Sequence, residues 1–265
     1  MGITEHYSRR SFLRSTALIV VAGGAPLGVV NSGTLATDTE VEPKGMIVLF
    51  QGDSITDGNR GRTSDPNHIM GHGYAFSIAS RWGADFPSTG LVFYNRGISG
   101  NKVTQLQARW QSDCLDIHPD VLSILVGIND AALFIEKPVE DSEEVYAQKY
   151  EEVYRELLKQ AKLQNPKTIL VLGLPFLAPV GKFKRKWDAY ESIVSKLSAR
   201  VRKLAVEFDA VLIDFPEVFI EAAKRAPHAY WLWDGIHPTV AGHELMARAW
   251  IQQVSRRLKF LRKYF

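Results

Sequence analysis

Four short segments carry residue types that can do nucleophilic chemistry. The first is Gly52-Asp53-Ser54-Ile55-Thr56-Asp57-Gly58. A serine directly after an apolar run, with glycine beside it, sits where a sheet edge can present a nucleophile. The same residues also read as a turn with an N-capping serine. They are not the G-x-S-x-G elbow, which occurs nowhere in the chain. The second segment is Asn95-Arg96-Gly97-Ile98-Ser99-Gly100-Asn101. Glycines here let the backbone turn sharply and expose N–H groups, as in any tight loop after a strand. The third, Gly127-Ile128-Asn129-Asp130, places an uncharged amide donor where an oxyanion could be met, or else an Asx turn. The fourth is Trp233-Asp234-Gly235-Ile236-His237-Pro238. An Asp and a His three apart around a glycine can face one pocket, or form an ordinary turn with proline opening a helix.

These segments need a frame, and the apolar pattern supplies one. Short continuous apolar runs at Met46–Phe50, Leu91–Tyr94, Val121–Val126, Thr168–Leu174 and Ala210–Ile213 read as strands buried on both faces. Helical patterns separate them. Over Glu143–Leu163, Tyr146, Tyr150, Val153, Leu157 and Ala161 make one apolar stripe, and Glu143, Glu144, Glu151 and Glu152 lie off it as a solvated, salt-bridged face. Over Arg185–Phe208, Ile193, Leu197, Val201, Leu204 and Phe208 do the same. A last helix starts near Thr239 and runs past Leu258, ending in cations that suit a helix C-terminus. Strands alternating with helices predict an α/β fold: one doubly wound, flavodoxin-like three-layer αβα domain over residues 46–265 with a five-stranded parallel sheet. In such sheets functional groups gather beyond the carboxyl ends of the strands. The first three segments sit at the ends of the first three strands, and the fourth is the last loop before the C-terminal helix.

Taken in order, Gly-Asp-Ser, then glycine, then Gly-x-Asn-Asp, then Asp-x-x-His-Pro resembles the four blocks of the SGNH hydrolase family, the GDSL-like esterases. The resemblance spans Phe50 to His243. It implies that Ser54 is the nucleophile, His237 the general base and Asp234 its orienting carboxylate. It implies an oxyanion hole made by the Ser54 N–H, the Gly100 N–H and the Asn129 side-chain amide. Asp53 and Asp130 match positions that the family uses to hold loops. The expected reaction is hydrolysis of carboxylic esters: His237 takes the Ser54 proton as the hydroxyl attacks, then returns it to the leaving alcohol. Activity is then expected to rise with pH as His237 becomes neutral.

The N-terminus reads as an address. Ser8-Arg9-Arg10-Ser11-Phe12-Leu13-Arg14 precedes an apolar run from Ala17 to Val30 and resembles a twin-arginine export signal. Gly23, Gly24, Pro26 and Gly28 make the run a poor membrane span. Small residues at Thr34-Leu35-Ala36 place cleavage after Ala36; an uncleaved anchor is the other reading. Residues 1–36 are thus expected to be a signal peptide and 37–45 a linker. The twin-arginine translocation machinery is the expected partner, and the mature protein, without stable membrane insertion, is placed in the periplasm or outside the cell. The single cysteine, Cys114, rules out an internal disulfide and reads as a buried thiol. The formal net charge of +3 is too small to argue for nucleic acid.

No cofactor is expected: there is no Walker loop, and no G-x-G-x-x-G follows a strand. No metal is expected either. His68 and His72 are four apart, but in a loop-like stretch without a third ligand nearby, and rim contacts to substrate suit them better. Tyr230, Trp231 and Trp233 run straight into Asp234, and aromatic faces stack on sugar rings or line acyl pockets. With His72 they are the expected substrate contacts. The reading is deacetylation of a carbohydrate or other small ester. The alternatives are a lysophospholipase or thioesterase for longer acyl chains and, in another class, an inactive glycan-binding protein.

Overall fold

The computed structural model describes residues 45–137 and 140–265. The expected signal peptide, and all but the last residue of the expected linker, lie outside the described residues. Five strands form one sheet: β1 (Ile47–Gly52), β2 (Val92–Asn95), β3 (Val121–Leu125), β4 (Ile169–Gly173) and β5 (Val211–Ile213). All pair in parallel, in the order β2-β1-β3-β4-β5. The chain therefore winds outward from β1 on one side and from β3 on the other, which is the flavodoxin-like order. Register brings Phe50 of β1 beside Asn95 of β2, and Gly52 beside Leu125 of β3.

β1 runs two residues beyond its apolar core. Gln51 is polar, so pattern alone stops at Phe50. The side chain is nevertheless buried and satisfied: its amide donates to the Asp113 carbonyl at 2.6 Å and its oxygen accepts from Arg109 at 2.9 Å. Gly52 follows at a point where a side chain would not fit, since a Cβ would stand 2.3 Å from the Leu125 carbonyl oxygen.

The helices follow as α1 (Ser54–Asp57), α2 (Tyr74–Asp85), α3 (Val103–Ala108), α4 (Trp110–Asp113), α5 (Ile128–Glu136), α6 (Glu143–Gln164), α7 (Lys182–Arg185), α8 (Trp187–Glu207), α9 (Phe215–Ala223), α10 (His228–Trp231) and α11 (Val240–Val254). Their contacts divide them into two layers. α2, α9 and α11 pack together; so do α3, α5, α6 and α8. Large apolar side chains fill the space against the sheet. Phe50 meets Tyr74 and Trp250, and Trp82 meets Trp250 and Phe93. Burial of each such side chain stabilises the fold by about 1.5–3 kcal/mol. The Trp250 indole N–H is satisfied by Ser123 Oγ at 2.9 Å.

Three sequence expectations need correction. Glu151 is not solvated: it is buried between α6 and α8, where Arg155, Arg200 and Lys203 neutralise it. An uncompensated carboxylate there would be costly, so three cations from two helices converge on it. The helix expected from Arg185 is broken at Lys186 into α7 and α8. The last helix stops at Val254 instead of passing Leu258, and a 3-10 turn over Lys259–Tyr264 follows. The bend folds Phe260 back onto Trp82 and Phe86 and buries Leu261. Cys114 is a buried free thiol, and burial pushes its pKa well above the ordinary value.

Candidate active site

β1 and β3 are the adjacent strands from which the chain leaves in opposite directions, and the site lies beyond their carboxyl ends. β1 delivers Ser54 at the first position of α1. Asp53 caps that turn: its Oδ1 accepts from the Ile55 N–H at 3.0 Å. N–H groups of a first helical turn have no partner within the helix, which leaves the Ser54 N–H available as a donor. Ser54 Oγ lies 2.8 Å from His237 Nε2.

The loop before α11 holds the imidazole. Trp233 N–H donates to the His237 carbonyl at 3.1 Å, and Leu232 pairs with Pro238 in a short antiparallel bridge. This closes a tight turn that puts Asp234 and His237 on one side. Asp234 Oδ2 is 2.6 Å from His237 Nδ1, and Oδ1 accepts from the backbone N–H groups of His237 at 2.8 Å and Ile236 at 3.0 Å. Burial alone would raise the Asp234 carboxyl, but the hydrogen bonds from His237 and Ile236 outweigh it and hold it below the ordinary range. An ionised carboxylate at Nδ1 leaves Nε2 as the acceptor facing Ser54. Such a chain can draw a proton from a hydroxyl.

The opposite side of the pocket is made by the loops after β2 and β3. Gly100 has φ +80, while a Cβ there would meet nothing within 4 Å. Its backbone angle, not lack of space, demands glycine. Asn129, the second residue of α5, is half-buried, and its Nδ2 donates to the Asn101 carbonyl at 3.2 Å. That bond uses one amide hydrogen and fixes the direction of the other. Asp130 is buried, and its oxygens accept from the Val103 N–H at 3.2 and 3.3 Å. It thus ties α5 to the start of α3, just past Gly100. Burial pushes Asp130 up to about 7, and burial together with Asp130 pushes Asp53 up to about 7 as well.

Three further residues hold this side, and sequence reasoning missed them. Asn95 is buried; its Nδ2 donates to the carbonyls of Thr56 at 2.7 Å, Met70 at 3.0 Å and Asp57 at 3.2 Å, and its Oδ1 accepts from Gly97 N–H at 2.9 Å. Asp57 accepts from Ser99 N–H at 2.9 Å, Arg60 N–H at 3.0 Å and the Arg62 guanidinium. Burial works against the Asp57 charge, and these donors win, so its carboxyl lies below the ordinary range. Arg109 spans the carbonyls of Gly52 and Arg96, Asn101 Oδ1 and Asp113. Most of the bonds that cross between loops join residues far apart in the chain, such as Asn95 to Thr56, Asp57 to Ser99 and Arg109 to Gly52, so no local spacing points to them; for Asn95 the hint is a polar side chain at the end of a strand.

Of the expected substrate contacts, Trp233 and Tyr230 are exposed, and the Trp233 ring stacks on His237 at 6.0 Å between centroids. His72 is exposed and close enough to His243 to act on its charge. Trp231 is buried instead, edge-on to Tyr230, with its indole N–H on the Ala226 carbonyl at 3.2 Å. It supports the aromatic surface from beneath. His68 is bound to Asp65 at 2.6 Å, and among the described residues no cluster has the ligands to hold a metal.

The family profile of the GDSL-like lipases/acylhydrolases matches residues 50–245. The chain belongs to that family. It is 32% identical over 209 residues to an acetylxylan esterase of Geobacillus stearothermophilus, covering 78% of this chain and 93% of that one. It is also similar to the uncharacterized lipoprotein YqeF of Bacillus subtilis, at 27% identity over 68% of this chain and 82% of the other. Among solved structures, a GDSL-like lipase from Parabacteroides merdae superposes with a TM-score of 0.74 at 36% identity, covering 80% of this chain and 97% of that one. The acetylxylan esterase Axe2 of G. stearothermophilus superposes with a TM-score of 0.69 at 32% identity, covering 80% and 95%. The protein is a carboxylic ester hydrolase of the GDSL type.

Proposed function

We propose that this hydrolase removes acetyl groups from a carbohydrate, with Ser54, His237 and Asp234 as its triad. The reading rests first on the unbroken chain from Ser54 Oγ to His237 Nε2 at 2.8 Å and from His237 Nδ1 to Asp234 Oδ2 at 2.6 Å. Ser54 attacks the acetyl carbonyl while His237 takes its proton. The tetrahedral oxyanion accepts from the Ser54 and Gly100 N–H groups and the Asn129 amide. Asp234 fixes the imidazole tautomer and stabilises the imidazolium. His237 then protonates the departing sugar oxygen, which leaves as a hydroxyl, and water repeats the sequence on the acetyl-enzyme.

The carbohydrate part is supported by the exposed Trp233 ring stacked on His237, by the exposed Tyr230 and by the likeness to an acetylxylan esterase. Export fits the Arg9-Arg10 pattern and the likeness to a protein named as a lipoprotein, although the single cysteine of this chain, Cys114, is far from its N-terminus. Among the described residues no helix is long and apolar enough to cross a membrane. The test is hydrolysis of aryl acetate, butyrate and octanoate by the wild type and by Ser54→Ala. An acetate optimum lost in the variant is expected. A preference for octanoate would replace this reading with that of a longer-chain acyl hydrolase.

A further inference from the structure

At the carboxyl end of the edge strand β2, residues 60–64 and 69 and residues 93–96 line a cavity of about 590 Å³. Three guanidiniums line it: Arg60, Arg62 and Arg96. Arg62 is neutralised by Asp57, on which its two terminal nitrogens sit at 3.1 and 2.6 Å. Arg60 has a carbonyl for a partner: its Nε donates to Gly97 O at 2.9 Å. Arg96 lies over the Tyr94 ring at 5.5 Å. Its Nε is buried, 3.9 Å from Asp113 Oδ1, and has no hydrogen-bond partner. Asp113 is already held by Arg109 at 2.9 Å. Two carboxylates, Asp57 and Asp113, thus stand against four guanidiniums, those of Arg60, Arg62, Arg96 and Arg109. Two positive charges stay uncompensated around an open cavity. Burial, then Arg62 and Arg96, pull Arg60 down to about 10, as expected where cations crowd without enough counter-charge.

Arg62 and Arg109 support the loops around Ser54, but the proposed ester cleavage makes no use of the Arg60 and Arg96 charges. A fork of guanidinium nitrogens over an aromatic ring suits a planar anion, and arginine is the residue that pairs bidentately with a carboxylate. We propose that this cavity binds a carboxylate carried by the substrate glycan, on a uronate unit neighbouring the acetylated sugar. The inference rests on the carbohydrate-deacetylase reading above and names the substrate class. The carboxylate that holds Arg62 belongs to the same short helix as Ser54. Asp57 stands one helical turn, about 5 Å, from Ser54. Its carboxylate joins Arg62 to the Ser99 N–H, next to Gly100. The anion site and the oxyanion loop therefore share one support.

The test compares acetylated oligosaccharides that carry a uronate with the same material after its carboxyls are reduced to primary alcohols. The wild type is expected to favour the acidic form in kcat/KM by about tenfold or more, as a charge-assisted pairing would give, and through KM. Arg96→Gln is expected to erase that preference and Arg96→Lys to keep part of it. Glucuronate is expected to inhibit competitively in the wild type and not in Arg96→Gln. Inhibition by inorganic phosphate without inhibition by glucuronate would assign the cavity to a free phosphate and overturn the proposal. Equal losses on both glycans in Arg96→Gln would make Arg96 a plain structural support and overturn it too. Aryl acetate is followed in the same preparations. Turnover of it and of both glycans without preference overturns the carboxylate site and leaves the deacetylase reading standing. Turnover of it with neither glycan hydrolysed overturns both.

Discussion

The two halves of the site are built in different ways. The side proposed to hold the nucleophile and the oxyanion gathers the ends of β1, β2 and β3, and buried polar side chains lock it. Asn95 alone makes four hydrogen bonds there, and Asp57, Arg109 and Asp130 add others. The proposed acid–base side is one short turn, 232–238, held chiefly by its own backbone and by Asp234, with one bond from afar, the Ala178 N–H to the Gly235 carbonyl at 2.7 Å. Trp233 next to it is exposed, and the Asp234 and His237 side chains are about a quarter to a third exposed. The contrast separates two demands. Oxyanion donors must wait in fixed positions before charge develops, which takes long-range buried support. A general base needs its tautomer and direction set, and a local turn with one carboxylate suffices.

Substitutions can break this contrast in a graded order. Ser54→Ala and His237→Ala should each lower kcat by about 10⁴-fold or more with the melting temperature kept, measured as aryl acetate turnover beside a thermal melt. Retained turnover would end the assignment. Asn129→Ala should lower kcat by about a hundred- to a thousand-fold with little change in KM. A KM effect alone would make its amide a ground-state contact. Asn95→Ala should act on both stability and rate. It takes the Asn95 amide from the buried carbonyls of Thr56 and Met70, while the Asp57 carbonyl keeps the Arg60 N–H, so a loss of about 2–4 kcal/mol is expected by urea titration. An equally large stability loss from Asp234→Asn would erase the difference between the halves.

The pH dependence of stability sharpens the same point. Asp130 is raised to about 7 in the folded protein by burial, above its unfolded value of 3.8. Between those values the folded state binds the extra proton, so this contribution is full below pH 3.8 and is lost as pH rises through 7. His243 runs the other way. Its Nδ1 accepts from the Tyr74 N–H at 3.1 Å, and burial, then His72 and His237, pull it down to about 4 from 6.5. Its contribution is full above pH 6.5 and is lost as pH falls through 4. Asp130→Asn should therefore gain stability relative to the wild type steadily from pH 4 to 7, read as the shift in urea midpoint. A constant difference would mean that Asp130 is ionised throughout. The smallest effect is expected at the surface: Trp233→Ala should raise KM for a glycan ester a few-fold and hardly alter that for aryl acetate, since it removes one stacking face.

The strands were legible because each is a short apolar run between turn residues, and all five lie within two residues of where the pattern puts them. That Ser54, His237 and Asp234 come together was legible because each sits in a compact motif at a strand end or before a helix, and the three are joined by hydrogen bonds. What was not legible has distant partners. Asn95 reads as one more polar residue until Thr56, Asp57 and Met70 fold around it. Glu151 reads as solvated until α8 brings Arg200 and Lys203 to it. Trp231 and Trp233 are neighbours in sequence with opposite exposure, which the turn at 232–238 decides.

Acetate released from an acetylated xylo-oligosaccharide, by the wild type and by Ser54→Ala at equal concentration and equal melting temperature, tests the central claim most directly. Steady release by the wild type and none above the uncatalysed rate by the variant is the outcome this account predicts. Release by Ser54→Ala at the wild-type rate, or none by a wild type that hydrolyses octanoate esters, would contradict it.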